Sequence, residues 1–159
     1  MKKLILLCLA WCFISCGGEN KTKEIGERFF ETYSKRKEID KMVSFYAEDF
    51  HYENIGFESE SDDPRFLYES FYGWADPNFR FNNPETVQVD EIISNDSTIV
   101  AKGKFMAHSY RSRAVEEMRF VILLELDQDL KIKKQTDWFD YPMSEIIEAY
   151  YLKQNMKVE

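Results

Sequence analysis

The sequence predicts an α+β domain, with a strongly curved antiparallel sheet wrapped around N-terminal helices and one further helix at the C-terminus. Three observations carry this reading. Two amphipathic helical stripes come first. Four strand-like segments then follow one another through short connections, which makes them antiparallel neighbours and excludes a βαβ series. The longest carries Met118, Phe120, Ile122, Leu124 and Leu126 on one face and Val121 and Leu123 on the other. That pattern predicts a middle buried on both sides, as in a sheet closed around helices.

Ile25, Phe29, Phe30 and Tyr33 form the first helical stripe, which the charged run Lys35 to Glu38 interrupts. Ile39, Met42, Val43 and Tyr46 follow at i, i+3, i+4 and i+7, the spacing of a half-buried helix. Phe50 to Gly56 alternates as a strand with Phe50, Tyr52 and Asn54 on one face. A third helix is expected from Asp63, with Pro64 at its first position and Phe66, Leu67, Ser70, Phe71 and Trp74 on one side. Asp76 to Pro84 reads as an irregular loop. Strands are then expected over 86–93, 98–107, 115–126 and 131–139, with Asn95 to Ser97 and Asp127 to Leu130 as tight turns. Pro142 opens the last helix, whose apolar side is Ile146, Ile147, Tyr150 and Tyr151.

The N-terminus has a separate character. Lys2 and Lys3 precede an apolar run, Leu4 to Phe13, that is too short to span a bilayer as a mature helix. Phe13-Ile14-Ser15-Cys16 then resembles a bacterial lipobox, with small Ser15 before the cysteine and Phe13 in place of the usual Leu. Cys8 and Cys12 lie inside the apolar run, and bulky Trp11 argues against cleavage before Cys12. The resemblance implies a leader over 1–15, lipidation of Cys16, a tether over 16–23 and a single domain over 24–159. It places the protein in a bacterial cell envelope, held at a membrane by its lipid. A plain secretory signal with an incidental cysteine is the alternative.

The formal net charge is -8, and loss of Lys2 and Lys3 takes it to -10. That acidity argues against nucleic acid, whose phosphates need a basic face. Two histidines, His51 and His108, fall on expected outer faces without metal-ligand spacing, so no metal and no cofactor are expected. No serine sits in a nucleophile elbow. The 13 Phe and 9 Tyr are enough to fill a core or line an apolar cavity.

Ser44-Phe45-Tyr46-Ala47-Glu48-Asp49 at a helix end and the closing run Asp137-Trp138-Phe139-Asp140 resemble the NTF2-like superfamily, and more narrowly SnoaL-like domains. The resemblance covers roughly residues 24–141. It implies a cone of bent sheet around helices, a fold that serves isomerases, cyclases, hydrolases and non-catalytic binders. Ala47-Glu48-Asp49-x-x-Tyr52-x-Asn54, together with the Asp137 run, is similar to limonene epoxide hydrolases. There the matching residues hold a nucleophilic water, with the counterpart of Asp137 as general base. A carboxylate that takes a proton from a water fixed by a phenol and an amide is sound chemistry. The same family protonates the epoxide oxygen with an Arg and an Asp two apart on another strand. The matching positions here are Gly103 and Phe105, and neither donates a proton. The ketosteroid isomerase pattern fails too, because Asn54 and Ile122 stand at its base and acid positions.

The site is therefore expected at Asp137, Tyr52 and Asn54. The pocket beside it is expected to be lined by Phe30, Phe71, Trp74, Gly103, Phe105, Phe120, Ile122, Gln135 and Phe139. Trp138 is expected in the core, and Asp140 as a structural charge before the last helix. The first functional expectation is binding of a small, mostly apolar molecule. The second is an enzyme of the same fold performing water addition or proton transfer. The third is an interaction module, with the sheet's outer face or the last helix docking a partner in the envelope, against which the charged outer positions Lys102, Lys104, Glu116 and Arg119 weigh. The resemblance also implies a homodimer paired through the sheet face.

Overall fold

Phe29, Phe30 and Tyr33 pack one face of the long first helix, α1 (Cys16–Lys35), and all are buried. The computed structural model describes residues 16–110 and 112–155. The expected leader, 1–15, lies outside the described residues, and so does the side chain of Cys16. The helix runs back through the stretch expected to be a tether. It is docked there by Thr22, which is fully buried and donates to the Asp96 carbonyl at 3.1 Å. At the other end Arg36 adopts φ 49°, the left-handed conformation that closes helices. At the buried junction between α1 and the first strand of the meander, the Ser34 hydroxyl donates to the Val87 carbonyl, and the Thr86 hydroxyl and N–H both donate to the Ser34 carbonyl.

A short helix α2 (Ile39–Val43) leads into β1 (Tyr46–Asn54). The helical stripe was expected to reach Tyr46. Instead the Phe45 carbonyl accepts from Ile132 N–H at 2.9 Å, and the chain is already sheet from Tyr46 onward. Strand β2 (Ser59–Ser61) pairs back on β1. Helix α3 (Pro64–Phe66) is capped by Asp63, whose carboxylate accepts from the N–H groups of Arg65 and Phe66. It widens into a π-helical turn over Leu67–Phe71, where Tyr72 N–H reaches the Leu67 carbonyl at 2.8 Å. The extra residue shifts the buried face. Leu67, Tyr68 and Tyr72 go inside, while Phe66, Ser70 and Phe71 of the expected stripe lie exposed.

The remaining elements are β3 (Phe79–Phe81), β4 (Val87–Ser94), β5 (Thr98–Phe105), β6 (His108–Tyr110), β7 (Arg113–Val115), β8 (Met118–Leu126), β9 (Ile132–Phe139) and α4 (Met143–Asn155). The main sheet has six strands in the order β2-β1-β9-β8-β5-β4, curved over α1, which lies against β4 and β5. Strands β4, β5, β8 and β9 form the expected antiparallel meander. The sheet is nevertheless mixed, because β1 runs parallel to β9. No turn links those two strands, so nothing local forces them to be antiparallel. The long strand expected over 115–126 is broken. It begins only at Met118, and its expected first residue, Val115, instead ends β7, which joins β6 and β3 in a separate three-stranded sheet that also uses Phe79–Phe81 from the expected loop.

On β8 the Met118-to-Leu126 face is buried, but Val121 on the opposite face is 41% exposed and Trp138 beside it 42%. The outer face of the sheet is thus open, contrary to the expectation of two-sided burial and of a core Trp138. Lys102, Lys104 and Arg119 flank this apolar pair. Arg119 also binds Asp140 at 2.6 Å, so Asp140 serves the sheet surface and not the last helix. Among the described residues no helix is long and apolar enough to cross a membrane.

Gly103 faces the irregular register between Val89 and Glu91, where β4 bends over β5. A Cβ at Gly103 would lie 2.1 Å from the Gln88 carbonyl oxygen and 2.9 Å from the Phe120 ring. Gly103→Ala is expected to destabilise the fold by about 1–3 kcal/mol through overpacking, read as a lower urea midpoint at unchanged slope.

Candidate functional site

The parallel pairing of β1 with β9 builds the site. Tyr52 stands opposite Gln135 and Asn54 opposite Asp137. Residues two apart share a face of a strand, so two short stretches distant in sequence put four polar side chains together on the inner face. All four are essentially fully buried.

The structure brings the expected Tyr52, Asn54 and Asp137 into one hydrogen-bonded group. Tyr52 Oη donates to Asp137 Oδ2 at 3.4 Å, and Asn54 Nδ2 donates to Tyr52 Oη at 3.0 Å. The same carboxylate oxygen accepts from the Tyr72 hydroxyl, and Oδ1 accepts from Gln135 Nε2 at 3.0 Å. Gln135 Oε1 in turn accepts from Tyr46 Oη at 2.6 Å, and the Tyr46 and Tyr68 hydroxyls are hydrogen-bonded to each other. A carboxylate only accepts, so the protons of the surrounding chain are directed toward Asp137. The place beside Asp137 where the resemblance implies a held water is taken by the Tyr72 hydroxyl.

Burial pushes the Asp137 carboxyl up to about 7, against the opposing effect of the Tyr72, Gln135 and Tyr52 hydrogen bonds. Burial also raises the phenols of Tyr46, Tyr52, Tyr68 and Tyr72, with the charge of Asp137 adding to the effect, so they are neutral donors.

Beside this group lies a pocket of about 200 Å³ whose walls are mostly aromatic. Phe71, Phe105 and Phe139 of the expected lining are in its walls, together with Tyr72, Tyr141, Phe57 and His108. The other expected lining residues are elsewhere. Ile122 and Gln135 are fully buried in the packed interior, and Trp74 stacks on Tyr33 and meets Tyr68 edge-to-face. Phe30 borders a surface groove beside β4, whereas Gly103 and Phe120 border the shallow groove on the outer face.

His108 was expected on an outer face. It is 9% exposed, stacked against Phe79 and Phe81, and its Nδ1 donates to the Met106 carbonyl at 3.2 Å. Burial lowers its pKa, which favours the neutral ring. The strand parity that suggested an outer position ends at Phe105, and His108 belongs to the second sheet.

Tyr72 and Tyr141 are the residues that sequence reasoning missed. Tyr68 and Tyr72 lie four apart, an inward-facing pair legible as such in the sequence. The choice of the Phe66–Ser70–Phe71 side concealed them. Tyr72 is held from behind by Arg36, whose Nη2 donates to the Tyr72 and Gly73 carbonyls at 2.8 Å each. The same guanidinium lies over the rings of Trp74, Phe79 and Phe81. At the opposite rim Glu145 of α4 pairs with Arg113 of β7.

A carboxyl with a raised folded pKa makes the fold weaken as pH rises. Below the unfolded value near 3.8 both states hold the proton. Between there and about 7 only the folded state does, so stability falls across that window and levels above it. Relative to Asp137→Asn, the wild-type protein is expected to lose a few kcal/mol between pH 4 and 7. Denaturation curves for both proteins across that range, with the slopes subtracted, check this. A flat difference would show that the carboxylate is ionised throughout.

No family model and no curated protein sequence matches the chain. Solved structures do. An epoxide hydrolase of the limonene epoxide hydrolase-like type from M. tuberculosis aligns with TM-score 0.61 at 18% identity, over 82% of this chain and 90% of that one. A SnoaL-like protein of Shewanella putrefaciens CN-32 aligns with TM-score 0.63 at 14% identity, over 80% and 96%. An NTF2-like protein of Burkholderia thailandensis aligns with TM-score 0.60 at 14% identity, over 85% and 96%. Similarity at these identities speaks for architecture alone, and with the curved mixed sheet and its helices it establishes that the chain has the NTF2-like cone fold.

Proposed function

We propose that this protein binds a small, mostly apolar molecule in the aromatic pocket, and that a lipid on Cys16 holds it at a bacterial membrane. The observation that carries the binding reading is the pocket itself. It combines a volume of about 200 Å³ and aromatic walls with one polar end, where Tyr72 joins it to the buried carboxylate. Ligand sites are typically concave and apolar with a few convergent polar groups. The volume lies below the usual range of ~300–1,000 Å³, so the occupant is of the size of one or two fused rings.

The enzymatic reading has one observation in its favour. A carboxyl titrating at about 7 is suited to general base catalysis at neutral pH. Against it, Asp137 accepts from Tyr52, Tyr72 and Gln135 and is not itself in the pocket wall. Epoxide opening in particular lacks its acid, since Gly103 and Phe105 occupy those positions. Binding without turnover is therefore the reading we adopt. The interaction-module reading has in its favour the exposed Val121 and Trp138 on the sheet face and the exposed Met143, Ile146, Ile147, Tyr150 and Tyr151 of α4. Neither patch carries a feature that selects a partner, so it ranks below the pocket reading.

Val115 lines the pocket and is only partly buried. Val115→Phe is expected to fill the cavity and leave the fold intact. Native mass spectrometry of the wild-type protein should show a co-purified molecule that is released on denaturation and is missing from Val115→Phe. An adduct unaffected by the substitution would place its binding elsewhere. For the anchor, a host with a lipoprotein pathway fed radiolabelled palmitate should label the full chain and leave Cys16→Ser unlabelled. Equal labelling of the two would reject Cys16 as the lipid site.

A further inference from the structure

We infer that the Tyr141 hydroxyl is the hydrogen-bond donor that the pocket offers its ligand, so the occupant carries an acceptor oxygen (a ketone, ester or phenolate) on its apolar body. This rests on the pocket reading above and adds the ligand's chemistry to it.

Phe57 N–H donates to Asn54 Oδ1 at 3.1 Å, which fixes which end of the amide is oxygen. Asn54 Nδ2 therefore lies toward two phenols, Tyr52 at 3.0 Å and Tyr141 at 2.7 Å. An amide nitrogen has two hydrogens and accepts none, so both phenol oxygens accept from it. Each phenol then has a single proton left to place. That of Tyr52 goes to Asp137 at 3.4 Å, with the Tyr72 hydroxyl also within reach at 2.8 Å. That of Tyr141 meets no acceptor among the described residues, and Tyr141 is in the pocket wall. Tyr141 is part-buried with its hydroxyl at the pocket, so that proton is placed to pair with an acceptor on a molecule bound there.

The donor is also held in place. The Tyr141 ring stacks on Phe57 with centroids 3.9 Å apart and packs against Phe139 at 5.5 Å. Gly56 lies under the ring, and a Cβ there would come within 2.7 Å of it. Burial raises the Tyr141 pKa, so the hydroxyl keeps its proton. A fixed ring that presents a neutral O–H to an apolar cavity selects for an acceptor at one position.

The test uses two probes of one shape, 1-indanone and indane, which differ by a carbonyl in place of a methylene. Both are titrated by NMR into wild-type protein, Tyr141→Phe and Gly56→Ala. Wild-type protein is expected to bind 1-indanone about three- to tenfold more tightly than indane, the range one neutral hydrogen bond supplies. Tyr141→Phe keeps the ring and is expected to erase or reverse that preference. Gly56→Ala, which displaces the ring, is expected to weaken it. The carbonyl stretch of bound 1-indanone should lie at lower frequency in wild-type protein than in Tyr141→Phe. A preference that survives in Tyr141→Phe, or equal affinities in the wild-type protein, overturns the donor assignment while the pocket reading stands. Failure of both probes to bind the wild-type protein overturns the pocket reading and the donor with it.

Discussion

A fully buried carboxylate governs the interior of this protein. Asp137 has no cation beside it among the described residues, only phenols and an amide. Neutral donors offset part of the desolvation of a charge, and the raised pKa measures what they leave uncompensated. Removing any one donor leaves the others to carry more of it. Tyr46 and Tyr52 of β1, and Tyr68 and Tyr72 of the π-helical turn and its C-cap, are therefore tied to one another through a residue that none of them neighbours in sequence. Tyr68 and Tyr72, four apart across the π-helical turn, both face inward to those partners.

The same carboxylate ties the architecture to the site. Parallel pairing of β1 and β9 aligns Tyr52 and Asn54 with Gln135 and Asp137 in one register. A shift of a single residue in that register would turn one pair to the outer face. The site is thus as well defined as the sheet. The pocket beside it is less so, because its walls combine loops, the second sheet and α4.

Much of the fold was legible because alternation and helical spacing are local signals. The meander, the inward face of β8 and the shared face of Phe50, Tyr52 and Asn54 follow from them directly. The Asp137 grouping was legible through resemblance, since its members lie more than eighty residues apart. What was not legible has a physical pattern. The π-helical turn changes the phase of a helix without a sequence mark, so Phe66 and Phe71 were favoured over Tyr68 and Tyr72. Trp138 looks like core because it is large and apolar, yet strand alternation places it opposite buried Asp137. The break between β7 and β8 is carried by Glu116 and Glu117, which read as surface charge on a continuous strand.

The two sides of the pocket are fastened by different physics. Arg36 grips the backbone behind Tyr72 through carbonyls and rings, and burial lowers its pKa to about 10. Glu145 and Arg113 meet at the rim, where the arginine is half exposed to water. Dissolved ions weaken the second kind of contact and barely reach the first. In brine the C-terminal helix would loosen its grip on the mouth while the Tyr72 wall stayed where it is, so ionic strength acts on the Glu145 side of the cavity and spares the side that Arg36 braces.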